Sequence, residues 1–260
     1  MSPALAADAN RGKVVLVTGG GTGIGRATAS AFAASGASLV VCGRRPEPLE
    51  EVRLELEADG AECLAVPCDI REPDQTRALV DAALERFDSL DVLVNNAGGQ
   101  FVAPAEEIDL KGWRAIHRLA VDAAWDLTQQ VATRSMIPGS GGLIVFIGFS
   151  PRRGIPGFAP AAAARAALEN LAAGLALEWG KHSIRSVCVV PGNIETEGLE
   201  AYGADSLEQS RKQVPLGRLG RPEEIGETIA FLATAGGGYV SGTSIVVDGG
   251  LDAWGVGTRG

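Results

Sequence analysis

The chain has few of the side chains that most often carry catalysis or bind metals. Its 260 residues include only two tyrosines, two histidines and four cysteines. Zinc sites take most of their ligands from histidine and cysteine, and no C-x-x-C spacing is present, so we expect no metal centre. The cysteines lie in or beside apolar runs, which is more typical of small buried hydrophobes in a cytosolic protein than of disulfides. They are Cys42, Cys63, Cys68 and Cys188.

Positive charge and long apolar runs are also lacking. The formal net charge of −9 argues against nucleic acid or an acidic membrane as a partner, because no basic excess is available to pair with phosphates. No run of about 18 or more apolar residues is present, so no membrane span is expected. Residues 1–10 have too little hydrophobic length for a signal peptide and are interpreted as a loose leader. We therefore predict a cytoplasmic protein.

Short apolar runs rich in β-branched residues recur along the whole chain. They are VVLVTG (14–19), SLVVCG (38–43), CLAVPCD (63–69), DVLVNNAG (91–98), GLIVFIG (142–148), SVCVVPG (186–192) and TSIVVDGG (243–250). Their nearly continuous hydrophobicity is typical of strands covered on both faces. Helix-like segments separate them, at 23–35, 46–59, 73–87, 111–136, 160–180 and 222–234. The pattern predicts one α/β domain over 11–260: a doubly wound, Rossmann-type parallel sheet of about seven strands with helices on both faces.

The least regular stretch is 193–214, which we call the lid region. A long connection after the carboxyl end of a strand is a common position for a segment that covers substrate. Tyr202, Leu199 and Leu207 give this stretch apolar content, which favours a lid over a tolerated surface insertion.

The first run leads into TGGGTGIG, residues 18–25, with glycines 19, 23 and 25 spaced G-x-x-x-G-x-G. Glycines at such a strand–helix turn bring backbone amides and a helix N-terminus against a pyrophosphate. The alternative is a tight turn with no ligand. Because the loop follows the first strand and opens an alanine-rich helix, it predicts a dinucleotide cofactor.

The end of the second run distinguishes between two cofactors. A carboxylate there would accept from a ribose 2′-hydroxyl, but the sequence has Arg44 and Arg45 and no acid before Glu47. An arginine suits a 2′-phosphate, so NADP(H) is favoured over NAD(H). The alternative is a solvated arginine pair in a loop.

These motifs, with Asp69-Ile70, NNAG (95–98), PGNIET (191–196) and SGTSIVVDGG near the end, resemble the short-chain dehydrogenase/reductase family over roughly residues 11–250. The resemblance implies that Asp69 and Ile70 flank the adenine, that the NNAG segment lines the cofactor and that Thr196 approaches the nicotinamide. It also implies a homotetramer with the 111–136 and 160–180 helices in an intersubunit bundle. The predicted cofactor-binding residues are Gly19, Gly21, Thr22, Gly23, Ile24, Gly25, Arg44, Arg45, Asp69, Ile70, Asn95, Ala97, Gly98, Pro191, Gly192, Ile194 and Thr196.

The catalytic residues that the family usually carries are substituted. Where members have Asn, Ser, Tyr and Lys, this chain has Ala120, Gly148, Ala161 and Arg165. Alanine and glycine have no titratable group, so no proton can be transferred from those positions. Arg165 can hold a ribose hydroxyl or a substrate oxyanion but cannot act as an acid near neutral pH. The alternative for Arg165 is an ion pair with Glu169 on the helix surface.

Reduction of a carbonyl creates an alkoxide that requires a nearby acid, whereas reduction of a double bond conjugated to a thioester creates an enolate. An oxyanion hole and a proton from water suffice for the enolate. The segments GGQFVAPAEEIDLKGW (98–113), AAAARAALENL (161–171) and EAYG (200–203) resemble the peroxisomal trans-2-enoyl-CoA reductase branch, with 2,4-dienoyl-CoA reductases as near relatives. Ala120 departs from that branch too, and the tyrosine that a dienoyl-CoA reductase would place near residue 150 is absent.

Candidates for the catalytic roles are therefore Arg165, Tyr202 and Ser150. Tyr202 is either a donor brought in by the lid region or an aromatic that packs it down; Ser150 is either a hydrogen-bond donor to a carbonyl or a turn serine before Pro151. Arg152 and Arg153 are either contacts for a CoA phosphate or exposed loop residues. The leading hypothesis is an NADP(H)-dependent oxidoreductase that reduces an enoyl thioester such as an acyl-CoA. The alternative is a catalytically silent homologue that binds nucleotide and serves as a regulatory or assembly subunit.

Overall fold

The computed structural model of the chain describes residues 4–139, 141–200 and 203–253. The strands are β1 (Val14–Thr18), β2 (Ser38–Gly43), β3 (Cys63–Pro67), β4 (Val92–Asn95), β5 (Gly142–Ile147), β6 (Ile184–Pro191) and β7 (Ser244–Val247). The helices are α1 (Gly23–Ala34), α2 (Pro46–Ala58), α3 (Pro73–Phe87), α4 (Leu110–His117), α5 (Ala123–Val131), α6 (Ala159–Trp179), α7 (Glu197–Glu200), α8 (Ala204–Gln213) and α9 (Pro222–Ala233). Each predicted strand and helix has a counterpart, so the fold prediction is confirmed.

The described strands form one parallel sheet in the order β3-β2-β1-β4-β5-β6-β7. The order reverses between β1 and β4, and the crevice outside the carboxyl ends of strands at such a point is where this class of sheet binds ligands. The motifs after β1, β2 and β4 all reach this edge of the sheet.

Alternate residues of each strand face two separate hydrophobic cores, as the continuous apolar runs predict. In β1, Leu16 packs under α3, α5 and α6, whereas Val15 and Val17 pack under α1, α2 and α9. All four cysteines are free; three are buried and Cys63 is half-buried. Within the described ranges, no helix is long and apolar enough to cross a bilayer.

Three segments differ from the expectations. The long helix predicted at 111–136 runs from Leu110 to Met136, with π-helical turns at Arg118–Asp122 and Ala132–Met136. The lid region contains α7 and α8, because ADSLEQSRKQ is rich in good helix formers although it lacks apolar periodicity. Asn10, the last residue of the predicted leader, is buried and its Nδ2 donates to Ser35 Oγ over 2.9 Å.

Helices α1 and α9 approach each other closely at Gly226. A Cβ at Gly226 would lie 2.6 Å from the carbonyl oxygen of Ala27, whereas a Cβ at Gly174, within α6, would meet nothing within 4 Å. We expect Gly226→Ala to lower the free energy of unfolding by about 1–3 kcal/mol because the backbone of α1 must move. Gly174→Ala, the matched control, should raise it by roughly 0.5–1 kcal/mol through helix propensity. Urea denaturation measures both, and equal effects would contradict the close contact.

Candidate active site

A cavity of about 840 Å³ opens beyond the carboxyl ends of β1, β2 and β4. It lies at the switch point of the sheet, where the glycine loop, the end of β2 and the residues after β4 meet. The predicted cofactor-binding residues that line it are Gly19, Gly21, Thr22, Gly23, Ile24, Arg44, Arg45, Asp69, Ile70, Ala97, Gly98 and Thr196. This first cavity therefore brings together residues from five separate segments of the chain.

The glycine loop is shaped for the close approach of a ligand. Gly19 and Gly23 have φ angles of 65° and 52°, a region in which glycine is favoured over residues with a Cβ. Helix α1 begins at Gly23, so its unpaired amides and the positive end of its dipole lie beside the cavity. Such a helix start binds phosphate groups.

The glycine loop is also fastened to the residues after β4. A Cβ at Gly25 would lie 2.1 Å from Gly19 O, so Gly25 serves packing within the loop and does not line a cavity. The backbone amides of Asn96 and Ala97 donate to Thr18 Oγ1 over 3.0 and 2.9 Å. Asn96 Nδ2 donates to Thr18 O over 2.8 Å.

The two asparagines of NNAG face opposite ways. Asn95 is buried and its Nδ2 donates to Thr128 Oγ1 on α5, whereas Asn96 lines both the first cavity and its neighbour. Asn95 was predicted to bind the cofactor, and its side chain is instead inside the helix layer. Asn96 belongs to the NNAG segment that the resemblance implied would line the cofactor, but it was not singled out as a binding residue, although the alternation of β4 side chains could have indicated it.

The end of β2 presents two exposed arginines to the first cavity. Arg44 and Arg45 have no carboxylate partner among the ion pairs of the described residues. Asp69, on the neighbouring strand end, accepts from Arg71 Nε over 2.9 Å. This pairing lowers the pKa of Asp69 to about 2, with a smaller contribution from Arg44. The Asp69 carboxylate is thus already paired with Arg71, and Arg44 and Arg45 remain available to an anion.

A second cavity of about 1230 Å³ adjoins the first. The residues that line both are Ile24, Asn96, Gly98, Thr196 and Gly198. Pro191, Gly192 and Ile194, predicted to bind the cofactor, line this second cavity only. Its remaining wall comes from the loop between β5 and α6, from residues 99–102 and from the lid region, so it has the position of a substrate site.

Arg165 lies where the two cavities meet. Its Nη1 donates to Ile147 O over 2.6 Å, and its Nη2 is so close to Gly98 that a Cβ there would be 1.8 Å away. Burial lowers the pKa of the guanidinium below its usual value, but arginine stays protonated in proteins. The alternative pairing with Glu169 is not formed, because Glu169 accepts from Arg152 and Ser244.

Comparison with known proteins identifies the family. The family model described as Enoyl-(Acyl carrier protein) reductase matches residues 19–252. The chain belongs to the short-chain dehydrogenase/reductase family. It is 35% identical over 247 residues to a probable 2,4-dienoyl-CoA reductase of Bacillus subtilis (strain 168), covering 92% of this chain and 96% of the relative. It is also 35% identical over 246 residues to a gluconate 5-dehydrogenase of Gluconobacter oxydans (strain 621H), covering 92% and 94%.

A solved short-chain dehydrogenase from Burkholderia cenocepacia J2315, in complex with NADP, is similar to the whole domain. The TM-score is 0.88 at 32% identity, with 94% of this chain and 99% of that chain covered. The resemblance inferred from the sequence motifs is therefore confirmed at the level of the family. These relatives make the chain an oxidoreductase of the short-chain dehydrogenase/reductase type.

Two of the positions at which the sequence analysis predicts substituted catalytic residues form an apolar cluster. Ala120 and Ala161 are buried together with Ile116 and Ala164, and Phe101 packs against them. Neither alanine side chain can donate or accept a proton.

Gly148, where the sequence analysis places the family's usual serine, has no room for a side chain. A Cβ there would lie 2.7 Å from Val190 Cγ2 and 3.1 Å from Cys188 Sγ. These atoms belong to β6, the strand that pairs with β5, so the crowding comes from the sheet itself.

Ser150, a second candidate donor, is hydrogen-bonded within the protein. It is buried and its Oγ donates to Asp248 Oδ2 over 2.6 Å. The Asp248 carboxylate also accepts from the backbone amides of Gly250 and Asp252, and Ser150 does not line the second cavity. The hydroxyl thus holds the loop in place. Tyr202 lies outside the described residues.

Arg152, considered as a contact for a CoA phosphate, is held by carboxylates. Its Nε donates to Asp252 over 3.0 Å, and its Nη1 lies 3.4 Å from Glu169.

Lys212 of α8 lines the second cavity and was not among the residues predicted from the sequence. Gln209 lies one helical turn before both Lys212 and Gln213, and this spacing was the available signal, but it required α8 to be recognised first.

The crowding at Gly148 can be measured by a double-mutant cycle. Gly148→Ser should lower the free energy of unfolding by about 1–3 kcal/mol because the added atoms collide with Val190. In a Val190→Ala background the same substitution should cost about 1 kcal/mol less, since the colliding methyl groups are gone. Urea denaturation of the four proteins gives the coupling energy, and strictly additive effects would contradict the contact.

Proposed function

We propose that this chain is an NADP(H)-dependent oxidoreductase that reduces the double bond of an enoyl thioester, such as an acyl-CoA. The first cavity suits a phosphorylated dinucleotide because it combines the glycine loop, the start of α1 and two unpaired arginines. The NADP complex of the Burkholderia cenocepacia relative supports this choice of cofactor.

The position of the Arg165 guanidinium is the observation on which the proposed reaction rests. Relatives at equal identity include a dienoyl-CoA reductase and a gluconate dehydrogenase, so similarity alone does not choose between a double bond and an alcohol. The apolar cluster around Ala161 offers no proton donor for an alkoxide. A cation at the junction of the two cavities instead suits an enolate, whose charge needs stabilisation and not an acid.

Arg165 would act by holding this developing negative charge. The chemistry that a bound nicotinamide would supply is hydride transfer to the β-carbon of the substrate. Negative charge would then develop on the thioester oxygen, and the guanidinium N–H groups that do not bond Ile147 could donate to it. The bond to Ile147 O fixes the guanidinium in advance, so little reorganisation is needed. The α-carbon takes its proton from water or, as predicted from the sequence, from Tyr202.

The second candidate function is a catalytically silent homologue that binds nucleotide as a regulatory or assembly subunit. It is favoured by the buried alanines, Ala120 and Ala161, at the positions predicted for the usual Asn and Tyr.

For either function we propose a cytoplasmic homotetramer. The exposed tryptophans Trp113 and Trp125 on the 110–136 segment, with Trp125 stacked on Trp179 at a ring-centroid distance of 6.5 Å, are suited to an interface between subunits.

The cofactor proposal is tested at the end of β2. Replacing both Arg44 and Arg45 with alanine should raise the Kd for NADPH roughly 10- to 100-fold, because charge-assisted bonds to the 2′-phosphate are lost. The Kd for NADH should stay within about twofold, since it has no such phosphate. Arg53→Ala is the control, because Arg53 pairs with Glu50 and Glu57 away from the cavity. Isothermal titration calorimetry that gives equal NADPH and NADH affinities for the wild type would refute the preference.

The role of Arg165 is tested by turnover. With trans-2-enoyl-CoA substrates of several chain lengths, Arg165→Met should lower kcat by roughly 100-fold, the usual cost of removing an oxyanion donor. Arg165→Lys, which retains the charge, should lower it less. Absorbance at 340 nm follows NADPH consumption. Wild-type protein that binds NADPH but oxidises it with none of these substrates would remove the reductase proposal and leave the silent homologue.

A further inference from the structure

The second cavity has an electrostatic character opposite to that of the chain as a whole. The chain has 32 acidic and 23 basic residues and a net charge of −9. Among the described residues that line this cavity, however, the only ionisable side chains are Arg165 and Lys212, and both are cationic. A cavity lined in this way within an acidic protein favours an anionic ligand.

The two cations occupy different walls. Arg165 belongs to α6 and touches Gly98 at the junction with the first cavity, whereas Lys212 is on α8 in the lid region. Gln209 and Gln213 line the cavity from the same side of α8, so this wall is polar and basic. Asn193 Nδ2 donates to Ser210 O over 3.0 Å and fixes α8 to the segment after β6.

The facing wall is apolar. Phe149 and Phe158, from the loop between β5 and α6, pack with their ring centroids 5.7 Å apart, and Val102 and Ile155 extend this surface. The ligand that matches both walls has an apolar portion and an anionic portion. A thioester of an apolar acyl chain on a phosphorylated carrier has this composition.

The Lys212 ammonium is free to exchange partners. Its Nζ lies 3.6 Å from Glu208 Oε1, and both side chains are more than half exposed. Solvent-exposed pairs of this kind contribute little to stability, so exchange of the carboxylate for a ligand phosphate costs little. Arg211, the adjacent residue, pairs with the same Glu208 at 3.5 Å but does not line the cavity.

We propose that Lys212 binds a phosphate of the carrier portion of the thioester, so that this enzyme selects substrates by the charge of the carrier. The assignment rests on the proposed reductase function and adds to it a specificity-determining residue on the lid region. The apolar wall then receives the acyl chain, while Arg165 holds the thioester oxygen.

The test compares one enoyl group on two carriers, CoA and uncharged N-acetylcysteamine. We expect Lys212→Gln to lower the ratio of kcat/KM for the CoA ester over the N-acetylcysteamine ester roughly fivefold, which corresponds to about 1 kcal/mol, the upper range for an exposed ion pair. Arg211→Gln, matched in helix, charge and partner, should leave this ratio unchanged. The KM of the wild type for the CoA ester should also rise with ionic strength more steeply than that of Lys212→Gln.

Equal effects of the two substitutions would assign the change to general surface charge and overturn the proposal. A further comparison uses N-acetylcysteamine esters whose acyl chain ends in a carboxylate. If Lys212→Gln lowered kcat/KM only for these esters, the anion would be on the acyl chain and the proposal would be overturned. If the wild type reduces no thioester, the reductase function fails by itself. Calorimetric titration of free CoA into the NADPH-saturated protein then still decides the role of Lys212, because only Lys212→Gln, and not Arg211→Gln, should weaken CoA binding.

Discussion

The organisation of the site depends on the close contact between the glycine loop and the end of β4. Thr18 accepts from the amides of Asn96 and Ala97, and Gly25 lies against Gly19 with no space for a Cβ between them. These contacts fix the switch point of the sheet, on which the first cavity opens. They also fix Gly98, which lines both cavities and against which Arg165 packs. In the proposed function, nucleotide binding and substrate placement would therefore depend on the same few hydrogen bonds.

In the proposed function, the remainder of the site would replace proton transfer with electrostatics. At three positions where the sequence analysis predicts that the usual acid–base residues are substituted, the structure has two buried alanines and a crowded glycine, and Arg165 would supply the polar group. A permanently charged group held by a main-chain carbonyl cannot donate a proton near neutral pH, but it stabilises negative charge without waiting for protonation. Reactions that pass through a stabilised anion are compatible with this arrangement.

Much of the fold and of the predicted nucleotide site could be predicted from the sequence, because both depend on patterns of residues that are close together in the chain. Apolar runs give the strands, and the glycine spacing gives the loop. Contacts between residues that are distant in sequence could not be predicted. Ser150 bonds Asp248, 98 residues later, and the orientation of Arg165 depends on Gly98 and Ile147. Helix α8 was missed because its apolar periodicity is weak, and without α8 the position of Lys212 could not be anticipated.

The crowding at Gly148 limits which side chains can occupy this position. A serine there would have to displace Val190, a residue of the neighbouring strand whose side chain is buried in the sheet core. A hydroxyl could therefore be introduced at the end of β5 only together with a smaller side chain in β6. Because the two strands are paired, an engineered site at residue 148 has to be designed with residue 190 as one unit.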